Sequence, residues 1–358
     1  MDLSFDTDPG VDEEWDGFVA GAPGGSHVQT SRWAEVKGVQ GWRGERVIAR
    51  DGDLILGGCQ LLLRPTGPVT MAYAPRGPLV HGARDDVLDA LLEGIRELAA
   101  RHRLPYVKLQ PPPGGEALEP RLRAAGFVGS DLEAAPIATT LVDLAPDTDA
   151  VMAAMRSGTR ANIRKAQRRG VVIREAGLEE LDRFGTLVRA TSERQGFAPY
   201  PLPYYGRMLE LFEDATLLLA DHEGRTLSAL LILGWGDTAT YKMGAWSGDS
   251  GPVRPNELAH WTAMGWARER RYRWYDLEGL PVPLARSLAR GEPWPPGQRG
   301  TAWFKLGFGG EIRLAPGAYD FSPSRVLAPV VRRAAPRLRR WEGIALRALG
   351  RGRDATGD

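Results

Sequence analysis

Residues 159–171, TRANIRKAQRRGV, carry the strongest chemical signal in this sequence, because five of them are basic and none is acidic. The chain as a whole has a formal net charge of only +1. A local excess of positive charge in a nearly neutral protein is typical of a surface that binds an anion. The basic residues of this stretch, with one just upstream, are Arg156, Arg160, Arg164, Lys165, Arg168 and Arg169.

In a helix, three of these basic residues would lie on the same side. Arg160, Arg164 and Arg168 recur every four residues and would therefore share one face of a helix. Such a face suits a nucleic-acid backbone, whose affinity for arginine falls as the salt concentration rises. Two plainer interpretations stay open: the face is merely solvated, or Arg156 and Arg160 pair with acids elsewhere in the fold.

Thiol and metal chemistry are not predicted. The single cysteine, Cys59, lies in the apolar run LILGGCQLLL, which favours a buried strand position over a nucleophile and rules out an internal disulfide. The five histidines show no HxH or HExxH spacing, so no metal site is expected. No run approaches the roughly 18 apolar residues of a membrane span, and the start MDLSFDTDPG is unlike a signal peptide. We therefore expect a cytoplasmic protein.

The predicted elements that must position these residues occur in the same order twice. The first half predicts helices near 11–20 and 30–40, three strands between 42 and 75, a helix at 85–103 and a strand at 105–110. The second half predicts the basic helix at about 147–169, a strand, helices at 178–195 and 201–213, three strands, a helix at 255–270 and a last strand. This repetition indicates two mixed α/β units. Residues 279–300 are rich in Pro and Gly and predict a long surface loop.

The C-terminal part is basic again. From Val326 to Leu349, apolar residues recur with helical spacing and arginines lie between them, although Pro336 interrupts the pattern. This pattern is typical of a segment that lies on an anionic membrane surface. It is equally typical of a helix that packs on the protein with a solvated basic face, and the sequence does not separate the two.

Eight segments, taken in order, resemble the FemABX family over about residues 26–320. They are SHVQTSRWAEVKGVQGW, YAPRGPLV, TRANIRKAQRRGV, SERQGFAPYPLPYYGRML, YKMGAWS, RPNELAHWTAMGWA, YDLEGL and FKLGFGGE. Members of that family are aminoacyl-tRNA-dependent peptidyltransferases that build the cross-bridges of bacterial peptidoglycan. The resemblance implies transfer of an amino acid such as Gly, Ala or Ser to a stem-peptide amine, with aminoacyl-tRNA as co-substrate and no cofactor.

The resemblance also implies the fold, an α/β (α+β) chain of two tandem GNAT-like domains, the acyl-CoA N-acyltransferase fold, with no coiled-coil insertion. Residues 1–145 would bind a UDP- or lipid-linked muropeptide, and residues 146–317 would bind the aminoacyl-tRNA. Residues 318–358 would form a basic segment that returns to the first domain and offers a peripheral contact with the inner face of the membrane.

The implied reaction is attack of an amine on an ester that is already activated. Such a reaction needs proximity and stabilisation of the developing oxyanion more than it needs a covalent nucleophile. Lys305, with Phe304 before it and a Gly-rich turn after it, resembles the family's Phe-Lys pair and is expected at the oxyanion. Without the family, Lys305 would be interpreted as an exposed surface lysine.

The other site residues also follow from the resemblance. Lys37 and Arg207 match positions that contact the diphosphate of the acceptor. Tyr73, Arg76, Tyr204, Tyr205 and Tyr241 are expected to line the same groove, and each tyrosine could equally serve packing. The tRNA end is expected on Arg160, Arg164, Lys165 and Arg168.

The general base is not identified by the sequence. Many relatives carry a carboxylate before the proline that ends the first domain's central strand, but this chain has Gln110 there, in VKLQPPP. Asp276 and Glu278 are the nearest alternatives, and organisation of the strand end is the other role open to them. A phosphate of the substrate or a chain of water molecules is the remaining candidate.

Three other functions are weighed against this one. A Fem-like enzyme could act on a small-molecule or peptide-antibiotic acceptor. An acyl-CoA-dependent enzyme is disfavoured, because no Q/R-x-x-G-x-G/A loop follows the strand TATYKMGAWS. A non-catalytic module that binds tRNA or a membrane is the third.

Overall fold

A computed structural model describes residues 1–67, 69–249, 253–297 and 299–323. The basic pattern predicted for 326–349 lies outside these residues. The chain divides into two compact units. Within the described ranges, unit 1 comprises residues 1–135, 196–200 and 316–323, and unit 2 comprises residues 136–195 and 201–315. The domain limits predicted from the sequence were 145/146 and 317/318.

Unit 1 is built on one mixed sheet. Its helices are α1 Glu13–Gly21, α2 Ser31–Gly38, α3 Asp85–Arg101 and α4 Glu119–Ala124. Its strands are β1 Asp2–Thr7, β2 Arg43–Asp51, β3 Leu54–Thr66, β4 Val69–Ala74, β5 Leu79–Val80, β6 Val107–Leu109, β7 Val128–Gly129 and, late in the chain, β15 Tyr319–Phe321. The strand order is β1-β2-β3-β4-β6-β15-β7, with β5 paired to β3, and among the described strands of this sheet only β4 and β6 run parallel.

The core of unit 1 forms where α3 covers this sheet. Apolar residues recur along α3 at helical spacing, among them Leu91, Ile95 and Leu98, and all are buried against strand residues such as Val47 and Leu61. Cys59 lies in the same core on β3, fully buried, as the sequence predicted. Burial raises the pKa of its thiol.

Unit 2 repeats this plan with a larger set of helices. Its helices are α5 Thr148–Ala154, α6 Ser157–Arg168, α7 Leu181–Gln195, α8 Leu202–Leu211, α9 Pro255–Glu269, α10 Val282–Ala289 and α11 Thr301–Lys305. Its strands are β8 Ala138–Asp143, β9 Val172–Ala176, β10 Ala215–His222, β11 Arg225–Trp235, β12 Thr238–Trp246, β13 Trp274–Asp276 and β14 Glu311–Leu314. The strand order is β14-β8-β13-β12-β11-β10-β9.

The two sheets share one connectivity. In each unit an antiparallel meander of three strands, β2-β3-β4 or β10-β11-β12, leads into a helix and then into a strand that runs parallel to the third meander strand. In each unit that parallel strand is flanked on its other side by an antiparallel strand, β15 or β8. The predicted duplication and the fold of two tandem GNAT-like domains are confirmed, and the described residues contain no coiled-coil hairpin.

Two predicted elements were wrong in detail. The basic helix predicted over about 147–169 is two helices, because Met155 and Arg156 adopt extended backbone between α5 and α6. The stretch predicted as a loop contains α10, whose start is marked by Pro281 at the N-cap and Pro283 in the first turn. Proline is compatible with the first turn of a helix, so the prolines of this stretch mark a helix start as well as a loop. No helix in the described ranges is both long and apolar enough to cross a lipid bilayer.

Candidate active site

Lys305 is the centre of a polar cluster in unit 2. It ends α11, and only 8% of its surface is exposed. Its Nζ donates hydrogen bonds to the backbone carbonyls of Glu278, at short range, and of Gly279, at 3.1 Å. An ammonium has three donors, so two are used and one is left for a ligand. The lysine expected at an oxyanion is therefore buried and held by backbone, unlike an exposed surface lysine.

The backbone after β13 is shaped to present these carbonyls. Glu278 has φ of 38° and Gly279 has φ of 67°, so two consecutive residues adopt left-handed conformations. Asp276 holds this turn, because its Oδ1 accepts hydrogen bonds from the Glu278 N–H, at 2.7 Å, and from the Thr139 hydroxyl on β8. Of the two roles considered for Asp276, the contacts show the organisation of the strand end.

One aromatic ring lies beside the ammonium and belongs to a larger aromatic cluster. Its Nζ lies 5.7 Å from the ring centre of Tyr241, a cation–π distance. Tyr241 in turn packs edge-on against His260 at 4.6 Å, and His260 also contacts Phe304 at 5.4 Å and Phe308 at 5.0 Å. Phe304, expected to hold Lys305, therefore belongs to the same cluster.

This surrounding shifts the protonation equilibria of the cluster. Burial lowers the pKa of Lys305, and the charges of Glu278 and Asp276 oppose that shift. Burial, together with the charge of Lys305, lowers the pKa of His260 to about 3. Burial raises the pKa of Tyr241 to about 12. At neutral pH the imidazole and the phenol are thus both uncharged.

A β-bulge brings a second lysine to this turn. Ile232 on β11 pairs with Tyr241 and Leu231 pairs with Met243, so Lys242 is an extra residue on β12. Its Nζ donates to both carboxylate oxygens of Glu278 at 3.0 Å, and both side chains are mostly buried. Glu278 therefore pairs with one lysine through its side chain and binds the other through its carbonyl. The sequence analysis did not single out Lys242, and only the bulge places it here.

In unit 1 the structure brings Lys37 into an aromatic surrounding. Lys37 lies near the end of α2, is 8% exposed and donates to the Gln40 side chain at 2.7 Å. Its Nζ lies 6.0 Å from the ring centre of Trp42 and 5.5 Å from that of Tyr200. Tyr73 packs edge-on against Trp42 at 4.8 Å. Two predicted acceptor residues therefore share one cluster, to which sequence reasoning did not assign Trp42 or Tyr200.

Arg76 and Gln110 lie where β4 and β6 end, and the N–H of Gly77 donates to the Gln110 carbonyl at 2.9 Å. Arg76 has φ of 54°, and its buried Nε has no hydrogen-bond partner among the described residues. Gln110 is fully buried, and its Oε1 accepts from two backbone N–H groups, those of residues 134 and 135, at 2.8 Å each. Within the described chain its Nε2 has no partner. Gln110 thus organises the strand end and offers a donor, not a base.

The predicted groove residues on α8 have two different surroundings. Tyr204 and Tyr205 are buried, with Tyr205 packed edge-on against Phe184 at 5.2 Å. Arg207 is partly exposed and pairs with Glu210 at 2.8 Å. Arg207 belongs to unit 2 and Lys37 to unit 1. That both residues bind the same diphosphate stays a prediction.

The basic helix α6 divides its arginines between two roles. Arg160 donates to the backbone carbonyls of Ala153, at 3.0 Å, and of Met155, and so caps α5. Arg156 donates to the Trp303 carbonyl at 2.9 Å and stacks on its ring at 3.5 Å. Arg156 and Arg160, for which pairing with acids was one interpretation, bind backbone carbonyls instead.

The rest of the α6 charge is open to solvent. Arg164 and Arg168 are exposed and Lys165 is half-buried. None of the three has a hydrogen-bond or ion-pair partner on the described part of the chain. The described residues also contain no group of three or more His, Cys, Asp or Glu that could hold a metal ion.

Comparison with known sequences finds a family and named relatives. A model of the FemAB family matches residues 11–119 and 128–225. A lipid II:glycine glycyltransferase of Staphylococcus aureus strain MRSA252 is 30% identical over 219 residues, which are 57% of this chain and 52% of that protein. The protein of the same name from strain USA300 is 29% identical over the same length. The chain spans about half the length of the curated relatives it matches.

Comparison with solved structures shows a shared fold. A crystal structure of FemX matches with a TM-score of 0.80 at 22% identity, covering 93% of this chain and 100% of that one. The structure of L-PGS from Bacillus licheniformis matches with a TM-score of 0.55 at 14% identity, covering 92% and 97%.

The buried His260 predicts a pH dependence of stability. Its pKa is about 6.5 when unfolded and about 3 when folded, so below pH 6.5 the unfolded state binds the extra proton and stability falls toward pH 3. From pH 7 to pH 5 we expect this residue to remove about 2 kcal/mol from the free energy of unfolding. His260→Gln has no imidazole to protonate, so its free energy of unfolding should lack this fall. The difference between the free energies of unfolding of wild type and variant, measured with urea, should therefore change by this amount from pH 7 to pH 5.

His222→Gln, which replaces a histidine outside the cluster, is the control for this measurement. A difference between wild type and His260→Gln that stays constant from pH 7 to pH 5 would show that His260 is not held neutral.

Proposed function

This chain belongs to the FemAB family, and from that membership we propose that it moves an amino acid from aminoacyl-tRNA to the stem-peptide amine of a peptidoglycan precursor. The resemblance to FemABX inferred from eight motifs is thereby confirmed at the level of the family. Glycine is the amino acid that the names of the relatives suggest. The acceptor would be a UDP- or lipid-linked muropeptide at the inner face of the membrane.

The buried ammonium of Lys305 is the observation that carries this proposal. An oxyanion develops when an amine attacks an ester carbonyl, and a fixed cation in a site that excludes water stabilises it strongly. Lys305 is fixed by two carbonyls before any substrate binds, so no reorganisation is needed during the reaction. Its third donor is the group we assign to the oxyanion.

The proposed step balances without a cofactor. The nitrogen lone pair of the acceptor amine attacks the ester carbonyl carbon, and the carbonyl electrons move to the oxygen beside Lys305. The intermediate collapses with cleavage of the bond to the ribose oxygen, which leaves an amide and free tRNA. The amine loses its proton and the ribose oxygen gains one.

The proton transfer is assigned to the substrates and to water. Gln110 has no group that accepts a proton at neutral pH, and the Glu278 carboxylate is bound by Lys242 at 3.0 Å. Asp276 holds the turn after β13. We therefore propose that the proton passes from the amine to the leaving oxygen, directly or through water, or to a phosphate of the acceptor.

The binding roles are divided between the units. We assign the tRNA to unit 2, where Arg164, Lys165 and Arg168 form a cationic stripe on α6 that no described acid neutralises. We assign the acceptor to unit 1, where Lys37, Tyr73 and Arg76 combine cations with aromatic area. Arg160, also expected among the tRNA contacts, donates to the backbone carbonyls at the end of α5.

One assay tests the function directly. The protein is incubated with bulk tRNA charged with labelled amino acids and with UDP-linked or lipid-linked muropeptide, and the acceptor is analysed by mass spectrometry. A gain of one amino-acid residue that disappears after ribonuclease treatment is the expected result. No gain on either muropeptide would overturn the proposed acceptor, and a gain on a soluble amine alone would move the function to small-molecule substrates.

Lys305→Met should lower kcat by about 10²–10³-fold, which is the cost of removing one oxyanion donor, while the affinity for tRNA stays unchanged. Single-turnover kinetics with charged tRNA measures the step. Lys108→Met is the matched control, because Lys108 is equally buried but pairs with Asp320 in unit 1. An equal loss of rate in both variants at equal melting temperature would remove Lys305 from the chemical step.

Arg164→Ala combined with Arg168→Ala should weaken tRNA binding and reduce the slope of log Kd against log salt by about 1.4 to 1.8, since each lost phosphate contact contributes about 0.7–0.9. Arg96→Ala with Arg101→Ala removes the same charge from α3 in unit 1 and is the control. A slope that is the same in the α6 variant and in wild type would contradict the role of α6.

A further inference from the structure

Two lysines meet at the turn after β13 and bind it in different ways. Lys305 binds the backbone carbonyls of Glu278 and Gly279. Lys242 binds the carboxylate of Glu278, with both oxygens 3.0 Å from its Nζ. Only 11% of the Lys242 side chain and 17% of the Glu278 side chain are exposed. A mostly buried ion pair therefore lies directly beside the ammonium that we assign to the oxyanion.

Lys305 itself forms no ion pair with any Asp or Glu of the described ranges. The two acids beside it are occupied by other groups. Asp276 accepts the N–H of Glu278 and the hydroxyl of Thr139, and the Glu278 carboxylate accepts Lys242. A buried cation is costly without a paired carboxylate. The arrangement that keeps two nearby carboxylates off this ammonium is therefore built at a cost.

The β-bulge in β12 makes this arrangement possible. Consecutive residues of a regular strand point to opposite faces of the sheet, so Tyr241 and Lys242 would point away from each other. The bulge changes the direction of the strand at this position. As a result the Tyr241 ring lies 5.7 Å from the Nζ of Lys305, and Lys242 reaches Glu278. The extra residue thus supplies a second cation to the acid that neighbours Lys305.

The charges around this turn balance before any substrate binds. Lys305 and Lys242 supply two positive charges, and Asp276 and Glu278 supply two negative ones. Burial lowers the pKa of the imidazole in the cluster and raises the pKa of both phenols, so these groups are uncharged at neutral pH. They are His260 on α9, Tyr241 on β12 and Tyr275 on β13. Each carboxylate has its own partners, which leaves the charge of Lys305 for a ligand.

We propose that Lys242 is a positioning residue for the transfer reaction, which holds the Glu278 carboxylate away from Lys305 and so keeps the ammonium available to the oxyanion. This inference rests on the proposed function, because it takes Lys305 as the group that stabilises the oxyanion. Lys242 acts only through Glu278. Without Lys242, the carboxylate belongs to the residue whose carbonyl already contacts Lys305, and it would pair with the ammonium and cancel its charge.

A double-mutant cycle between Lys242 and Glu278 tests the proposal, with the single-turnover rate of transfer as the readout. Lys242→Met releases the carboxylate to Lys305 and should lower this rate by about 10²-fold, the lower limit of the cost of one lost oxyanion donor. Glu278→Gln added to Lys242→Met removes the carboxylate and should restore the rate by about 10-fold, as expected for coupled neighbours. Lys242→Arg keeps a cation on Glu278 and should retain most of the wild-type rate.

The protonation of Lys305 gives a second readout, which needs no substrate. Acetic anhydride modifies neutral amines, so the pH dependence of Lys305 labelling, followed by peptide mass spectrometry, reports where the ammonium loses its proton. In Lys242→Met the negative charge of Glu278 acts on Lys305 without opposition, so labelling should begin at a higher pH than in wild type. In Glu278→Gln that charge is gone and Lys242 remains, so labelling should begin at a lower pH. Loss of packing alone would not move the two variants in opposite directions.

The pair of Lys108 and Asp320 in unit 1 supplies the matched control. Lys108 is also buried, and its Nζ lies 2.6 Å from the Asp320 carboxylate. Lys108→Met and Asp320→Asn break this pair without touching the turn after β13, so neither the transfer rate nor the labelling of Lys305 should change. Melting temperatures show whether each variant stays folded. Lys242→Gln, which keeps a polar end, replaces Lys242→Met if the latter melts below the assay temperature.

The outcomes separate this inference from the function on which it rests. Equal transfer rates in folded Lys242→Met and in its combination with Glu278→Gln overturn the role of Lys242, even if the protein transfers amino acids. Labelling of Lys305 that shifts in the same direction in both single variants also overturns it. Opposite shifts in a protein that transfers nothing to any acceptor support the control of the Lys305 charge by Lys242 and overturn the proposed function.

Discussion

The burial of one positive charge is the constraint on which unit 2 depends. Taking an ammonium out of water is costly unless it is hydrogen-bonded and balanced by nearby negative charge. Lys305 meets both conditions through the carbonyls of Glu278 and Gly279 and through the charges of Glu278 and Asp276. Those carbonyls point inward only because two successive residues take left-handed backbone, which is unfavourable for glutamate. The bonds from Asp276 and the pairing of Glu278 with Lys242 offset that strain.

The duplicated fold carries different chemistry at its two equivalent strand ends. In unit 2 the strand parallel to the meander ends at Asp276, and the turn that follows holds the buried Lys305 through two backbone carbonyls. In unit 1 the corresponding strand ends at Gln110, a neutral amide that bonds two backbone N–H groups. The strand end of unit 2 concentrates charged groups, whereas the strand end of unit 1 presents hydrogen-bond donors. The same scaffold thus presents different chemical groups at two equivalent positions with no change of topology.

The sequence predicted the helices and strands well where the spacing of apolar residues and the residues that start or end an element agree. Residues 255–270 were predicted as a helix and α9 spans Pro255–Glu269, since a proline opens it and apolar residues recur along it. Arg160 shows where helical spacing gives the wrong role. It belongs to the series of arginines at every fourth residue, but the helix breaks at Met155. The carbonyls at the end of α5 are therefore unpaired within the helix, and Arg160 binds them. Lys305 was predicted from the family resemblance. Its carbonyl partners were not, because they lie 26 and 27 residues earlier in the chain and face Lys305 only through the conformation of the backbone there. Trp294 and Trp303 belong to no periodic pattern and meet only through the path of the chain between them.

The position of β15 sets an order of events during synthesis. Tyr319–Phe321 lie between β6 and β7, so an inner strand of the first sheet comes from sequence that follows the whole of unit 2. Gly129 and its partner Tyr319 are roughly 190 residues apart, about 10–40 s of translation at the usual 5–20 residues per second. For that interval the edges of β6 and β7 that β15 will join have no partner strand. The sheet of unit 1, which is synthesised first, is therefore completed last. The ribosome must synthesise all of unit 2 before β15 can pair with β6 and β7.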